Sequence, residues 1–184
     1  MQSLGGALMP VTAGVTALGG AVIKTGMDFQ EGMSKAKAVM GASTTQVEEM
    51  TVKARELASQ SRWTARDVAD AYGYMGMAGW TAKESMEGIK GVLDLATAGA
   101  TDLALTSDIV TDGLTAMGLS AEDTTMFVDA MSATMVGSNT NIEIMGETLK
   151  YAGNVAGGLG ITMQDLSLAI GTMANAGRIL CLCI

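Results

Sequence analysis

Two pairs of acids are spaced to share one face of a helix: Asp108 and Asp112 lie four residues apart, Asp67 and Asp70 three. Such a pair can give two ligands to a hard cation or serve as paired carboxylates in acid–base chemistry. Neither pair has the third acid nearby in sequence that a cation site needs, and a solvated helix face accounts for both more simply. Cys181 and Cys183 form a Cys-x-Cys pair at the end of the chain. One residue apart they cannot staple a fold, so nothing argues for a disulfide framework, and an incidental tail outweighs a metal or redox site. Met75, Met77, Met117, Met126, Met131, Met135 and Met145 could build an adaptable apolar surface for partner helices, although core filling explains most of them.

The missing residue types decide more. There is no histidine, which removes catalytic triads, histidine zinc sites and imidazole acid–base work. No Gly-Lys-Ser/Thr occurs, so no Walker-type phosphate loop is present. No residue is expected to be catalytic, cofactor-binding or metal-ligating, no cofactor is expected, and the chain is expected not to be an enzyme.

The elements that would have to position such residues are helices. From Trp63 to Gly99 the chain writes one pattern twice: Trp63-Thr64-Ala65-Arg66-Asp67 and Trp80-Thr81-Ala82-Lys83-Glu84 each precede an apolar-periodic run. In each, a threonine can accept from the free amides of a first helical turn, and an acid three residues on completes the reciprocal cap. The tryptophan before the cap can staple onto the helix; its partner is Val68 in the first copy and Ser85 in the second, which predicts a weaker second staple. Ser120 with Asp123, and Thr162 with Asp165, repeat the device more loosely.

In chain order, helical spacing runs from about Val11 to Met40, as one long helix or two joined near Gly26, and stops at Gly41. Ser43 and Gln46 cap a helix over about 44–59. The two tryptophan units follow, ending at Gly79 and Gly99. Asp102 starts a helix to Gly118, Ser120 caps one stopped by Gly137, and Thr140 with Glu143 opens one that breaks at Gly157-Gly158-Leu159-Gly160. In that helix Ile142, Met145, Leu149, Ala152 and Ala156 make a narrow seam, and Gly153 and Gly157 have the spacing of tight helix contacts, as do the glycines at 73, 76 and 79. A last helix starts at Thr162. The expected fold is all-α: seven or eight helices with short glycine-containing turns, in an antiparallel bundle or an extended helical array. The near-repeat of roughly 17 to 20 residues is too short for a two-helix solenoid unit and reads as one repeated helix-start chemistry.

Composition agrees. Of 184 residues 48% are hydrophobic but only 4% aromatic, which favours helices over sheets, and the single proline is Pro10. Twenty-four glycines and sixteen methionines predict modest stability. Residues 1–90 hold nine basic and nine acidic side chains, so the net charge of −8 lies entirely in 91–184, a surface that repels nucleic acid. Residues 3–23 carry no charge, yet their glycines and threonines make a poor membrane span, and no basic n-region precedes them.

Several segments taken in order carry a family likeness: Asp28-Phe29-Gln30-Glu31-Gly32-Met33, Ala54-Arg55-Glu56-Leu57-Ala58, Met77-Ala78-Gly79-Trp80, Gly91-Val92-Leu93-Asp94-Leu95-Ala96, Asp108-Ile109-Val110-Thr111-Asp112, Met117-Gly118-Leu119-Ser120, Asn139-Thr140-Asn141, Met145-Gly146-Glu147-Thr148-Leu149-Lys150-Tyr151 and Met173-Ala174-Asn175-Ala176-Gly177. From about Met27 to Gly177 the chain resembles the core region found near the N-terminal part of phage tail tape measure proteins. The resemblance divides the chain into an apolar segment 1–26, the core 27–177 and a tail 178–184 outside the family pattern, where family members continue and this sequence looks truncated.

That resemblance implies a structural protein of tail assembly, lying in the lumen of the virion tail and setting tail length, after assembly in the host bacterial cytoplasm. It implies as partners the tail tube protein, tail assembly chaperones and baseplate or tail-tip proteins, with self-association and no direct nucleic-acid binding. The alternative role is a membrane-active helical protein that contacts the host envelope through residues 3–23. A cell-wall hydrolase, as some family members carry elsewhere, would need a catalytic acid; Asp67 and Glu84, the first candidates, are better explained as caps.

Overall fold

The computed structural model describes residues 26–177. Among them are eight α-helices and no strand: α1 over 26–40, α2 (Thr44–Gln60), α3 (Ala65–Met77), α4 (Ala82–Ala98), α5 (Leu103–Met117), α6 (Thr124–Gly137), α7 (Ile142–Gly158) and α8 (Met163–Asn175), with one 3-10 turn at Ala121–Asp123. The expected all-α class with short turns is what the chain adopts. The segment expected to be helical from Val11 to residue 25 lies outside the described residues.

Reciprocal caps start the helices. Ser43 Oγ accepts from Gln46 N (3.3 Å) while Gln46 Oε1 accepts from Ser43 N (2.9 Å). Thr64 pairs with Asp67 in the same way, at 3.2 and 2.8 Å, and Thr81 with Glu84, at 3.3 and 2.7 Å. Each box satisfies amides that the first turn leaves free. Asp102 caps α5 through Leu105 N, and Thr162 caps α8 through Asp165 N.

Two starts differ from expectation. Ser120 bonds Asp123, but their box opens the 3-10 turn, and α6 follows it. Asn141, not Thr140, caps α7, accepting from Ile144 N at 2.8 Å; the Thr140 hydroxyl is buried without a partner. The loop is held from α8, where Asn175 Oδ1 accepts from Asn139 N, and Asn141 has the extended conformation a cap requires.

Left-handed glycines, Gly41, Gly79, Gly118 and Gly160, reverse the chain after four helices. After α4 the expected stop, Gly99, is right-handed, and Ala100 takes the left-handed position instead (φ 51°). Gly99 is needed for another purpose: a side chain there would run into Ile142.

The helices pack as two rows. Odd-numbered helices stack on one another, α1 on α3, α3 on α5 and α5 on α7; even-numbered helices do the same, α2 on α4, α4 on α6 and α6 on α8. The stacking has one register. Gly32 meets Ala69, Gly76 meets Val39, Gly91 meets Val128, Gly146 meets Ile109, Gly153 meets Ala116 and Gly171 meets Thr134, each pair 37 residues apart. Stacked helices are therefore parallel, and the structural unit is a helix pair. Caps repeat on the same scale: 38 residues separate Thr64 from Asp102, 39 separate Asp102 from Asn141, and 38 separate Ser43 from Thr81.

The 17–20-residue similarity thus joins the two helices within a unit, and the repeat of the fold is twice that. Four such units form a solenoid-like array. The core lies between the rows, with Tyr72, Leu95, Leu103, Phe127, Met145 and Leu149 buried there.

Candidate functional site

The acids weighed for chemistry are each engaged by a neighbour. Asp67 is the cap of α3, and Glu84 that of α4, where the hydrogen bonds from the Thr81 amide and hydroxyl hold its carboxyl below the usual range. Arg66 lies between Asp28 (2.8 Å) and Asp70 (3.5 Å), so the Asp67–Asp70 pair is not an open cation site.

Asp108 and Asp112 do face together, at the seam of α5 and α7. Burial first, then the charge of Asp108, push the Asp112 carboxyl up; Lys150, reaching across from α7, pulls it down. The same ammonium donates to Glu147 at 2.9 Å, and its own pKa is raised by that bond and by all three carboxylates. The charge of Lys150 is thus felt at the pair, although its ion pair is with Glu147. Among the described residues no group of three or more histidines, cysteines or acids is placed to hold a metal.

The methionines divide as core filling predicts. Met75, Met117, Met131 and Met145 are buried, Met126 and Met135 pack on the core's edge, and Met77 alone of the seven is exposed (53%). They form no continuous surface. The two tryptophans reverse the expected ranking. Trp63 is half-buried and donates from Nε1 to Thr97 (2.9 Å), whereas Trp80 is buried. Trp80 bypasses Ser85 and lies over Gly88, one turn further on, where a Cβ would come within 2.6 Å of its ring.

Besides an open groove of about 420 Å³ between α2 and α4, lined by Glu48, Glu49, Lys53 and Glu56 with Val52 and Met86, two further grooves mark the surface. One, of about 320 Å³, runs between α6 and α8 past Ala130, Thr134, Gly137, Ser167, Leu168 and Gly171. No ionisable side chain lines it, and its buried Ser167 hydroxyl has no partner. The other, also about 320 Å³, lies between α1 and α2 over Phe29, Met33 and Val47, with Lys37 and Arg55 at its edge. Neither brings together an acid and a base or a nucleophile and a base.

The surface that sequence reasoning missed is on α7. Of the expected seam Ile142, Met145, Leu149 and Ala156 are buried and Ala152 is half-buried, with Leu149 against Gly113 of α5; Gly146, Gly153 and Gly157 make the close approaches to α5. Away from that seam Tyr151, Val155 and Leu159 are exposed by 66, 63 and 72%. Their four-residue spacing was the available signal: α7 carries two apolar stripes, and only one had been counted.

Among the described residues no helix is long and apolar enough to cross a membrane. Residues 3–23 and the Cys181–Cys183 pair lie outside them.

Comparison with known proteins follows the same lines. Residues 51–180 match the family described as phage-related minor tail protein. The chain is 30% identical over 167 residues to the tape measure protein of Pneumococcus phage Dp-1, which covers 91% of this chain and 14% of that protein. It is 24% identical over 178 residues to the probable tape measure protein of Escherichia phage P2, covering 96% of this chain and 22% of that one. The chain therefore spans less than a quarter of the length of either relative. No solved structure matches.

Proposed function

This chain belongs to the phage-related minor tail protein family, and on that premise we propose that it forms the core region of a tape measure protein, a structural element without catalytic activity. The observation that carries this is the match of 91% of the chain to the Dp-1 tape measure protein. The engagement of Asp67 and Glu84 as caps and of Asp70 by Arg66 supports it. We assign 27–177 as the folded core, the tail lumen as its place in the virion, and the tail tube, tail assembly chaperones and tail-tip proteins as its partners. The host cytoplasm is where it would assemble with them.

The architecture sharpens what this region contributes to length. As one straight helix the 152 described residues would extend about 230 Å at 1.5 Å per residue. Stacked as four units, with neighbouring helices 8–10 Å apart, they extend roughly 30–40 Å along each row. The array is a compact body at one point of the ruler, and the measuring length resides elsewhere in the longer protein.

The test is made in a phage that encodes the region. A stop codon at its start abolishes tails of uniform length, as seen by electron microscopy; normal tails would refute the assignment. An in-frame deletion of one unit, 64–101, shortens the tail by no more than about 10 Å. A shortening of roughly 55–60 Å would instead show that the unit is drawn out as a rod.

A further inference from the structure

The groove between α1 and α2 opens on the side of that pair turned away from α3 and α4. Gly32 of α1 meets Ala69 of α3, and Gln30 and Ser34, about 160° round the helix from it, line the groove. On α2, Thr45, Glu49 and Lys53 border α4 beside Met86; Val47, Thr51 and Arg55, two residues on from each, lie on the opposite side of the helix and line the groove. Buried Phe29 and Met33 form its floor, and Met27, two residues before Phe29, is exposed. Its two cations are already engaged: Arg55 lies over the Phe29 ring at 5.3 Å, and Lys37 donates to Thr44. The groove therefore offers apolar surface rather than free charge.

The order of stacking selects an occupant from the chain itself. Each even-row helix precedes an odd one and stacks on the next even helix, α2 on α4, α4 on α6 and α6 on α8, so the chain ahead of α1 is placed to stack on α2. Buried positions repeat from α2 to α4 at 39 residues: Met50, Ala54 and Leu57 are followed by Ile89, Leu93 and Ala96, all six buried. Thirty-nine residues before the α2 set stand Val11, Val15 and Leu18. The 37-residue contact register sets Pro10 against Val47 and Gly14 against Thr51, both in the groove wall, and puts a glycine at the approach to α2 as in the other stacked pairs. Residues 3–23 carry no charge, which suits the apolar floor. Thr25 with Asp28 has the hydroxyl-x-x-acid spacing that opens α3 and α4, a break between this stretch and α1.

We propose that residues 7–23, which lie 37 before α2, form a further helix of the even row, seated in this groove parallel to α2 and covering Phe29, Met33 and Val47. Pro10 falls in its first turn, where an amide has no helical partner to lose. The inference is independent of the role in the tail proposed above.

Hydrogen exchange read by mass spectrometry, and a paired-cysteine variant of the full chain, test it. Amides of residues 11–23 are expected to exchange at least about tenfold more slowly in the wild type than in Val15→Asp. Thr16→Asp, on the side of the proposed helix away from both α2 and the core, is expected to keep the wild-type protection. In a Cys181→Ser, Cys183→Ser background, Gly14→Cys with Thr51→Cys is expected to close a disulfide within one chain under mild oxidation, seen as faster migration without reductant. Gly14→Cys with Val136→Cys, on exposed α6 surface, is expected to close none. The cross-link remains a readout where Val15→Asp fails to fold. Wild-type exchange as fast as that of Val15→Asp overturns the proposal, as does a Gly14–Thr51 cysteine pair that stays open. A disulfide between chains would overturn it by placing the segment on a second copy. Protection seen only with phosphatidylglycerol vesicles would overturn it by placing the segment in a membrane.

Discussion

Gly157 and Gly158 are consecutive at the end of α7 but stand in opposite surroundings, so an alanine at each separates packing from helix propensity. A Cβ on Gly157 would lie 2.7 Å from the Met117 carbonyl oxygen and 2.8 Å from its carbon; around Gly158 nothing stands within 4 Å. Alanine is favoured over glycine by about 1 kcal/mol in a helix interior and by less in a last turn, so Gly158→Ala should gain a few tenths. At Gly157 the obstacle is main chain, which cannot turn aside as a side-chain tip can. α7 would have to back away from α5 by several tenths of an ångström, along a seam where Gly153 is also close-fitted to Ala116. Overpacking of this kind costs roughly 1–3 kcal/mol, which outweighs the propensity gain and leaves Gly157→Ala destabilised by about 1–2 kcal/mol. For a chain of this length that separates the two melting temperatures by roughly 3–8 °C. Thermal unfolding followed by far-ultraviolet circular dichroism measures it. A Gly157→Ala protein that melts at or above the Gly158→Ala protein would refute the close approach of α5 and α7 at this end of the seam.

Ala100 is the one non-glycine residue with positive φ among those described; Ala100→Gly should raise stability by about 1 kcal/mol, visible as a higher urea midpoint with unchanged slope. Tyr72 is buried with an unpartnered hydroxyl, and burial pushes its pKa above the ordinary range. Below pH ~10 folded and unfolded chains both keep the phenolic proton; above it only the unfolded chain releases its own, so stability falls with rising pH. Tyr72→Phe should remove that alkaline loss and, at neutral pH, gain about 1 kcal/mol by deleting the orphan hydroxyl. Asp112 also has a raised pKa, so its ionised form is penalised in the folded chain at neutral pH and the penalty vanishes below the ordinary aspartate range near ~4. Asp112→Asn should therefore stabilise at neutral pH and lose that advantage on acidification, as chemical denaturation across pH would show.

What was legible in the sequence was local. Thr64 with Asp67 and Thr81 with Glu84 could be read because a capping box is complete within four residues. The start of α7 was misread by one residue: Asn141, itself a favoured cap, accepts from the first turn in place of Thr140, while Asn175, 36 residues on, holds the preceding Asn139. Gly99 does end α4, as the sequence indicated, but in the right-handed conformation. A glycine after a helix signals a left-handed stop, but Ile142 on a distant helix claims that position, and Ala100 must make the turn. The Trp80 staple looked weak because its local partner is Ser85; the true seat is the gap at Gly88. The candidate acids were read correctly as structural, since their cap positions were visible. That Lys150 would face Asp108 and Asp112 was not visible, because it depends on the α5–α7 stacking.

The array escaped detection because what recurs every 37 residues is not residue identity but the placement of something small. Gly32, Gly91, Gly146, Gly153 and Gly171 each let one helix approach its parallel neighbour at a matching height, while the residues they meet range from alanine to threonine, valine and isoleucine. Comparing adjacent helices finds the caps, which do resemble one another; comparing alternate helices finds the contacts. The glycine content that argued for a soft core therefore acts differently in the fold. Within each row a glycine of one helix faces an alanine, valine, threonine or isoleucine side chain of the next, a close fit with few alternative packings, and the adaptable methionines Met75, Met131 and Met145 are buried in the core. Specificity of register comes from the rows and bulk burial from between them. That division explains how a chain with only 4% aromatic residues can specify one arrangement of eight helices.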